Sequence, residues 1–168
     1  MKLASDIIGY IATLMFIISF QLPKRKYILS AQAVTNFLGA VNVLLLAGLN
    51  SAVLLNLLGA FHIIVIIEHC INNKESSNKE KIIFFILYLI AGLLGFKKLI
   101  DLIPLIGTLF FMGGVFQTKE QNIRIFNLVN ILIYLVYYAM IGSTLIFAQI
   151  FATCSVIISL FRYRNKKA

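Results

Sequence analysis

Short polar breaks divide the chain into seven apolar runs: Leu3–Leu22, Tyr27–Gly48, Ser51–Ile71, Ile82–Phe96, Leu102–Gln117, Ile125–Ile141 and Thr144–Phe161. A helix needs about 20 residues to cross the hydrocarbon of a bilayer, within a range of about 17–25. The runs therefore predict seven membrane-crossing helices, the fourth and fifth being the shortest. Fusing those two would carry Lys97, Lys98 and Asp101 into mid-membrane, where clustered charges are costly. The runs are continuous rather than alternating, which excludes barrel strands. Helices also satisfy their own backbone groups, as lipid requires. Composition agrees: 12% of residues are charged, against about 25% in soluble domains, and mean hydropathy is +0.96. The first run lacks a small-residue cleavage site and meets Lys24-Arg25-Lys26 at once, so it reads as a retained helix rather than a signal peptide.

Seven crossings put the termini on opposite sides. With the N-terminus outside, all of the fifteen Lys and Arg fall inside except Lys2, Lys97 and Lys98. The positive-inside rule selects that orientation. The net charge of +9 is then topology and contact with anionic lipid, and no nucleic-acid motif accompanies it. Cys70 falls near the inner face and Cys154 within the last helix, so no disulfide is expected. Cys70 and His69 lack further ligands at useful spacing, so neither a metal nor another cofactor is expected.

The chain repeats. Ile8–Phe16 (IGYIATLMF) lies over Ile103–Phe111 (IPLIGTLFF) at an offset of 95, Phe20-Gln21 over Phe116-Gln117 at 96, and Asn36 over Asn130 at 94. The turn Gly48–Ser51 has its counterpart in Gly142-Ser143. This predicts a three-helix unit (1–71), an inner loop and linker helix (72–101), and a second three-helix unit with a basic tail (102–168). Three helices reverse the chain direction and the extra crossing restores it. Both bundles should then be parallel, related by an axis along the membrane normal. The NNKESSNKEK stretch reads as a solvated inner loop. Small residues striping the third helix (Ala52, Gly59, Ala60) and the seventh (Ala148, Ala152, Ser155, Ser159) predict that these two helices sit between their bundle partners.

This plan resembles the SWEET and PQ-loop transporter architecture. Leu102–Lys119 (LIPLIGTLFFMGGVFQTK), Leu54–Ala60 (LLNLLGA) and Ile157–Lys167 (IISLFRYRNKK) more closely resemble the bacterial inner-membrane YgjV family. PQ-loop proteins carry a Pro-Gln pair near the end of the first helix. Here the order is Gln21-Leu22-Pro23, and Gln117 has no proline. The resemblance implies a hinge at Gln21 and Pro23, while proline beside three cations equally suits simple helix termination. It also implies that Asn56, on the third helix, hydrogen-bonds substrate, with Gln149 as the nearest amide in the second unit.

An amide donates and accepts at once, which suits a polar uncharged ligand. The same amides can instead hold helices together, at about 0.6–2 kcal/mol per bond. Both readings stand for Asn56, Gln149 and the repeat-matched Asn36 and Asn130. Gln32 shares a face with Asn36, and Asn127 with Tyr134. Asn42 adds an unmatched amide, and Tyr134 could face a cavity. His62, mid-helix and ionisable, is a candidate for ligand or proton binding, or a neutral histidine held by one hydrogen bond. No carboxylate pair or nucleophile motif accompanies it, so an enzyme is not expected.

The sequence thus predicts an all-α membrane protein of seven transmembrane helices. The favoured role is a transporter or facilitator for a small polar solute such as a sugar, nucleoside or vitamin, held between the bundles. The alternative is a non-transporting scaffold or regulatory protein. Expected partners are membrane lipid, the solute and, as one option, further copies of the chain in a homo-oligomer.

Overall fold

A computed structural model describes residues 2–49, 51–94, 99–140 and 145–164. Seven α-helices follow in order: α1 (Lys2–Ser19), α2 (Arg25–Ala47), α3 (Ser51–Ile71), α4 (Asn78–Leu93), α5 (Leu102–Val115), α6 (Glu120–Met140) and α7 (Leu145–Arg162). A 3-10 turn, Leu99–Asp101, leads into α5, and no strand occurs among the described residues. By length and apolarity α2 and α3 could each cross a membrane, while Leu3–Ser19, Leu102–Val115 and Ile146–Arg162 are shorter apolar helices. The Gly142-Ser143 turn and the position of Lys97 and Lys98 lie outside the described residues.

Local chemistry sets the helix ends. Pro23 follows α1 and lies in no helix. It has no N–H to offer and disfavours helical geometry at the residue before it. The proline thus separates α1 from α2, and no helix passes through it to be bent. Gly48 ends α2 at φ +68°, its N–H bonded to Leu44 O at 3.1 Å, a backbone conformation that glycine adopts without strain. The expected inner loop is shorter than its polarity suggests. Ser77 Oγ accepts from the Glu80 N–H at 3.2 Å, so Asn78–Lys81 form the first turn of α4 behind a serine cap. Pro104 occupies the first turn of α5, where proline is tolerated.

The packing corrects one expectation. α2 lies between α1 and α3, and α6 between α5 and α7; α3 and α7 are not the central helices. α1 also meets α7, α3 meets α5, and α4 stands against α3 and α5. Six helices therefore close a ring. The small residues of α3 and α7 serve other neighbours. Gly59 lies so near Asn36 that an added Cβ would be 3.0 Å from Nδ2. Ser155 Oγ donates to Ile17 O on α1 at 2.9 Å.

Two apolar cores hold the ring. One joins Leu29, Ile63 and Ile66 of α2 and α3 to Phe111 and Val115 of α5. The other joins Ile131, Ala152 and Val156 of α6 and α7 to Phe20, just beyond α1. Each core thus takes a member from the opposite triple. Tyr10, Phe61, Ile64, Leu132 and Phe151 project outward and exposed, an apolar coat that water would not tolerate and lipid would. Against lipid it is close packing rather than water exclusion that holds such cores together.

Candidate functional site

A cavity of about 550 Å³ opens inside the ring, lined from all seven helices. On α1 it spans Gly9–Phe16, on α3 Ala52–Asn56, and on α7 Ala148-Gln149. It lies toward the end of the bundle that holds the N-terminus, away from Lys24-Arg25-Lys26. Its walls pair off by the internal repeat. Thr13 and Thr108, and Phe16 and Phe111, match at 95; Asn36 and Asn130 match at 94; Asn56 and Gln149 match at 93. The offset falls by one across each successive helix, as it would if the second unit's connections were shorter.

The walls also share local chemistry. Thr13 Oγ1 donates to Gly9 O at 2.9 Å, and Thr108 Oγ1 to Pro104 O at 2.9 Å. Thr108 Oγ1 also lies 3.1 Å from Tyr134 OH. Asn56 Nδ2 turns back to Ala52 O on its own helix at 2.8 Å. Asn42, another wall residue, is fixed to α1: its Nδ2 donates to Ser5 O at 2.6 Å and to Ser5 Oγ at 3.0 Å. Glycines seat these groups. A Cβ on Gly39 would stand 3.1 Å from Asn56 Oδ1, and one on Gly107 would stand 2.8 Å from the Tyr134 ring and 3.2 Å from Asn130 Oδ1. Close backbone approach is what glycine permits here.

Hydrogen-bonding capacity is left over. Asn36 Nδ2 and Asn130 Oδ1 are buried without a protein partner among the described residues. Such orphaned groups are uncommon and call for water or a ligand. The cavity therefore offers a donor from α2, an acceptor from α6, threonine and tyrosine hydroxyls, and two aromatic walls. Among the described residues, no acidic or basic side chain lines it. That set can hold a neutral polar molecule by paired donors and acceptors, with apolar surface stacked on Phe16 or Phe111.

The opposite end is shut. Arg124, 1% exposed, donates from Nε to Phe20 O at 3.2 Å and from an η nitrogen to Leu22 O at 2.7 Å. Its guanidinium lies 4.5 Å from the Tyr163 ring centroid. Tyr163 OH in turn donates to Gln21 O at 2.7 Å. Gln21 Nε2 reaches Ser155 O and Oγ at 2.8 and 2.9 Å. From the other triple, an Arg25 η nitrogen donates to Val115 O at 3.4 Å, and the Arg25 backbone N–H donates to Glu120 Oε1 at 3.1 Å. Val115 directly precedes Phe116, the repeat counterpart of Phe20. Each triple thus sends an arginine to the end of the other's first helix.

Asn36, Asn56, Asn130, Tyr134 and Gln149 all line the one cavity. His62 does not. It is fully buried on α3, with Phe84 stacked at 4.0 Å, Phe116 at 4.4 Å and Tyr88 OH 3.4 Å from Nδ1. It joins α3 to α4 and faces away from the cavity. Gln21 and Pro23 belong to the closed end, where Gln21 ties α1 to α7. Thr13 and Thr108 were legible as coincident residues of the repeat but not as wall residues. Arg124 was counted only among the inner cations. Its place three residues before Asn127, on a helix rather than in a loop, was the available signal.

The chain belongs to the YgjV family of bacterial inner membrane proteins, whose family model matches residues 3–167. No curated protein and no solved structure matches it.

Proposed function

We propose that this inner membrane protein is a multi-pass transporter or facilitator for a small polar, uncharged solute. The solute would bind in the central cavity, between two three-helix units related about the membrane normal. One observation carries the reading. Residues paired by the sequence repeat, above all Asn36 with Asn130 and Asn56 with Gln149, line a single cavity from both triples. Helix glue would need each amide bonded to a neighbouring helix, yet Asn36 Nδ2 and Asn130 Oδ1 have no protein partner among the described residues. The orientation that fits the lysines and arginines puts the N-terminus outside. The cavity would then open outward and the arginine-bonded end would face the cytoplasm. Among the described residues no acidic group lines the cavity to bind a coupling cation, which favours a passive carrier.

The test is uptake of radiolabelled sugars, nucleosides and vitamins into proteoliposomes holding the purified chain. Saturable uptake of one class, lost in Asn36→Ala and Asn130→Ala, is the expected result. If no neutral polar solute enters faster than into empty vesicles, the non-transporting scaffold replaces this reading.

A further inference from the structure

One helical turn from the cavity toward the arginine-bonded end, α2 carries Gln32 and α6 carries Asn127. Gln32 is 1% exposed and Asn127 0%. Neither Oε1 nor Nε2 of Gln32 has a protein partner among the described residues, and Asn127 Oδ1 also has none. Asn127 Nδ2 is spent on its own helix, at Ile123 O, 2.8 Å away. The two residues stand within one position of matching in the repeat, 95 apart where Asn36 and Asn130 are 94 apart. Two buried amides at neighbouring levels of α2 and α6, both short of partners, are costly unless some state of the protein satisfies them.

They also continue a line. Along α2 the inward positions read Arg25, Gln32 and Asn36; along α6 they read Arg124, Asn127, Asn130 and Tyr134. The opposite flanks carry Val34 and Phe37, and Ile125, Leu132 and Val136, all exposed. Polar groups thus run inside the ring from the cavity walls to the two arginines, with Gln32 and Asn127 between. On both helices the chain spends hydrogen-bonding groups where an apolar residue would pack at lower cost.

We infer that Gln32 and Asn127 form an inner binding stage for the same neutral polar solute, closed off in this conformation and reached when the arginine contacts release. This rests on the transport reading. Release means that Arg124 leaves Phe20 O and Leu22 O while Arg25 leaves Val115 O, parting the first helix of each triple from the second helix of the other. The freed amides would then meet water or solute from the basic end, while the outer walls close.

Water access tests this without knowing the solute. Gln32→Cys and Asn127→Cys, each made with Cys70→Ser and Cys154→Ser, are held in nanodiscs and treated with a charged trimethylammonium methanethiosulfonate reagent. Slow modification is expected in the otherwise native chain, rising at least tenfold at both positions when Arg124→Gln is added. A cysteine at Ile63, in the adjoining apolar core, should stay unreactive. No rise, or an equal rise at position 63, overturns the inner stage. If Arg124→Gln does not fold, Tyr163→Phe with Gln21→Leu loosens the same contacts and is read by the same rule. A second measurement uses Gln32→Leu, which should leave thermal stability equal or higher while cutting uptake at least tenfold. A lower melting temperature overturns the proposal, because it would mean that the amide supports the resting structure. Absent uptake in the unaltered chain defeats the transport reading instead, and the labelling pair then decides the inner stage alone.

Discussion

The α1–α3 triple and the α5–α7 triple present matched residues to one cavity but secure them differently. In the first, Asn42 is locked to Ser5 and Asn56 to Ala52. In the second, the position matching Asn42 at offset 94 is Val136, which is exposed, and Tyr134 with Thr108 supplies the polar contact. At the closed end the imbalance runs the other way. Arg124 of the second triple is buried with two carbonyls, whereas Arg25 of the first makes one long bond and leaves Nε buried without a partner. A repeated frame fixes where side chains stand. Which of them is held, and by what, differs between the two triples.

The arginines should give the largest difference. A hydrogen bond from a charged group contributes about 1.5–3 kcal/mol, and carbonyls stripped of their donor add a desolvation penalty. Arg124→Ala should therefore destabilise the purified protein by about 3–5 kcal/mol, and Arg25→Ala by about 1 kcal/mol. Chaotrope unfolding in mild detergent measures both. Equal losses would mean that the two contacts are symmetric in energy despite their geometry.

Gly107 and Ala12 match at offset 95 and sharpen the comparison at the cavity wall. Gly107→Ala would drive a Cβ to 2.8 Å from the Tyr134 ring, and overpacking of this kind costs about 1–3 kcal/mol. Ala12→Gly forces no clash and should cost about 0.5–1 kcal/mol through backbone freedom. The same unfolding measurement checks the order. Next comes Asn42→Val, which gives the first triple the second's residue. It removes the Ser5 bonds and should cost about 0.6–2 kcal/mol, with no loss of saturable uptake if Asn42 is only a tether.

Much of this frame was legible in the sequence. Seven apolar runs became seven helices, and the repeat offsets that align Thr13 with Thr108 and Asn36 with Asn130 bring those residues to one cavity. The rest depended on three-dimensional neighbours. His62 looked ionisable and central, yet its surroundings come from Phe84 and Tyr88 on α4 and Phe116 beyond α5, which no spacing along α3 reveals. The small residues of α3 and α7 correctly marked close approach. Whether that approach serves a central helix or a ring seam is decided by partners that the stripe does not name. Arg124 hid among cations assigned to topology, because its carbonyl partners lie more than a hundred residues earlier in the chain.

The smallest expected effect on stability separates ligand from glue most cleanly. Gln149 makes no side-chain hydrogen bond to the described residues and stands at the cavity wall, so Gln149→Ala removes little that the empty protein uses. It should alter stability by less than about 0.5 kcal/mol, as substitutions away from cores and networks do. Asn56→Ala loses one bond within its own helix and should cost about 1 kcal/mol or less. Both should lower saturable uptake at least tenfold, because a bound solute would lose a donor–acceptor pair from each triple. If uptake instead falls only in proportion to the amount of folded protein, the two amides hold helices together. The two triples would then share a frame without sharing a ligand.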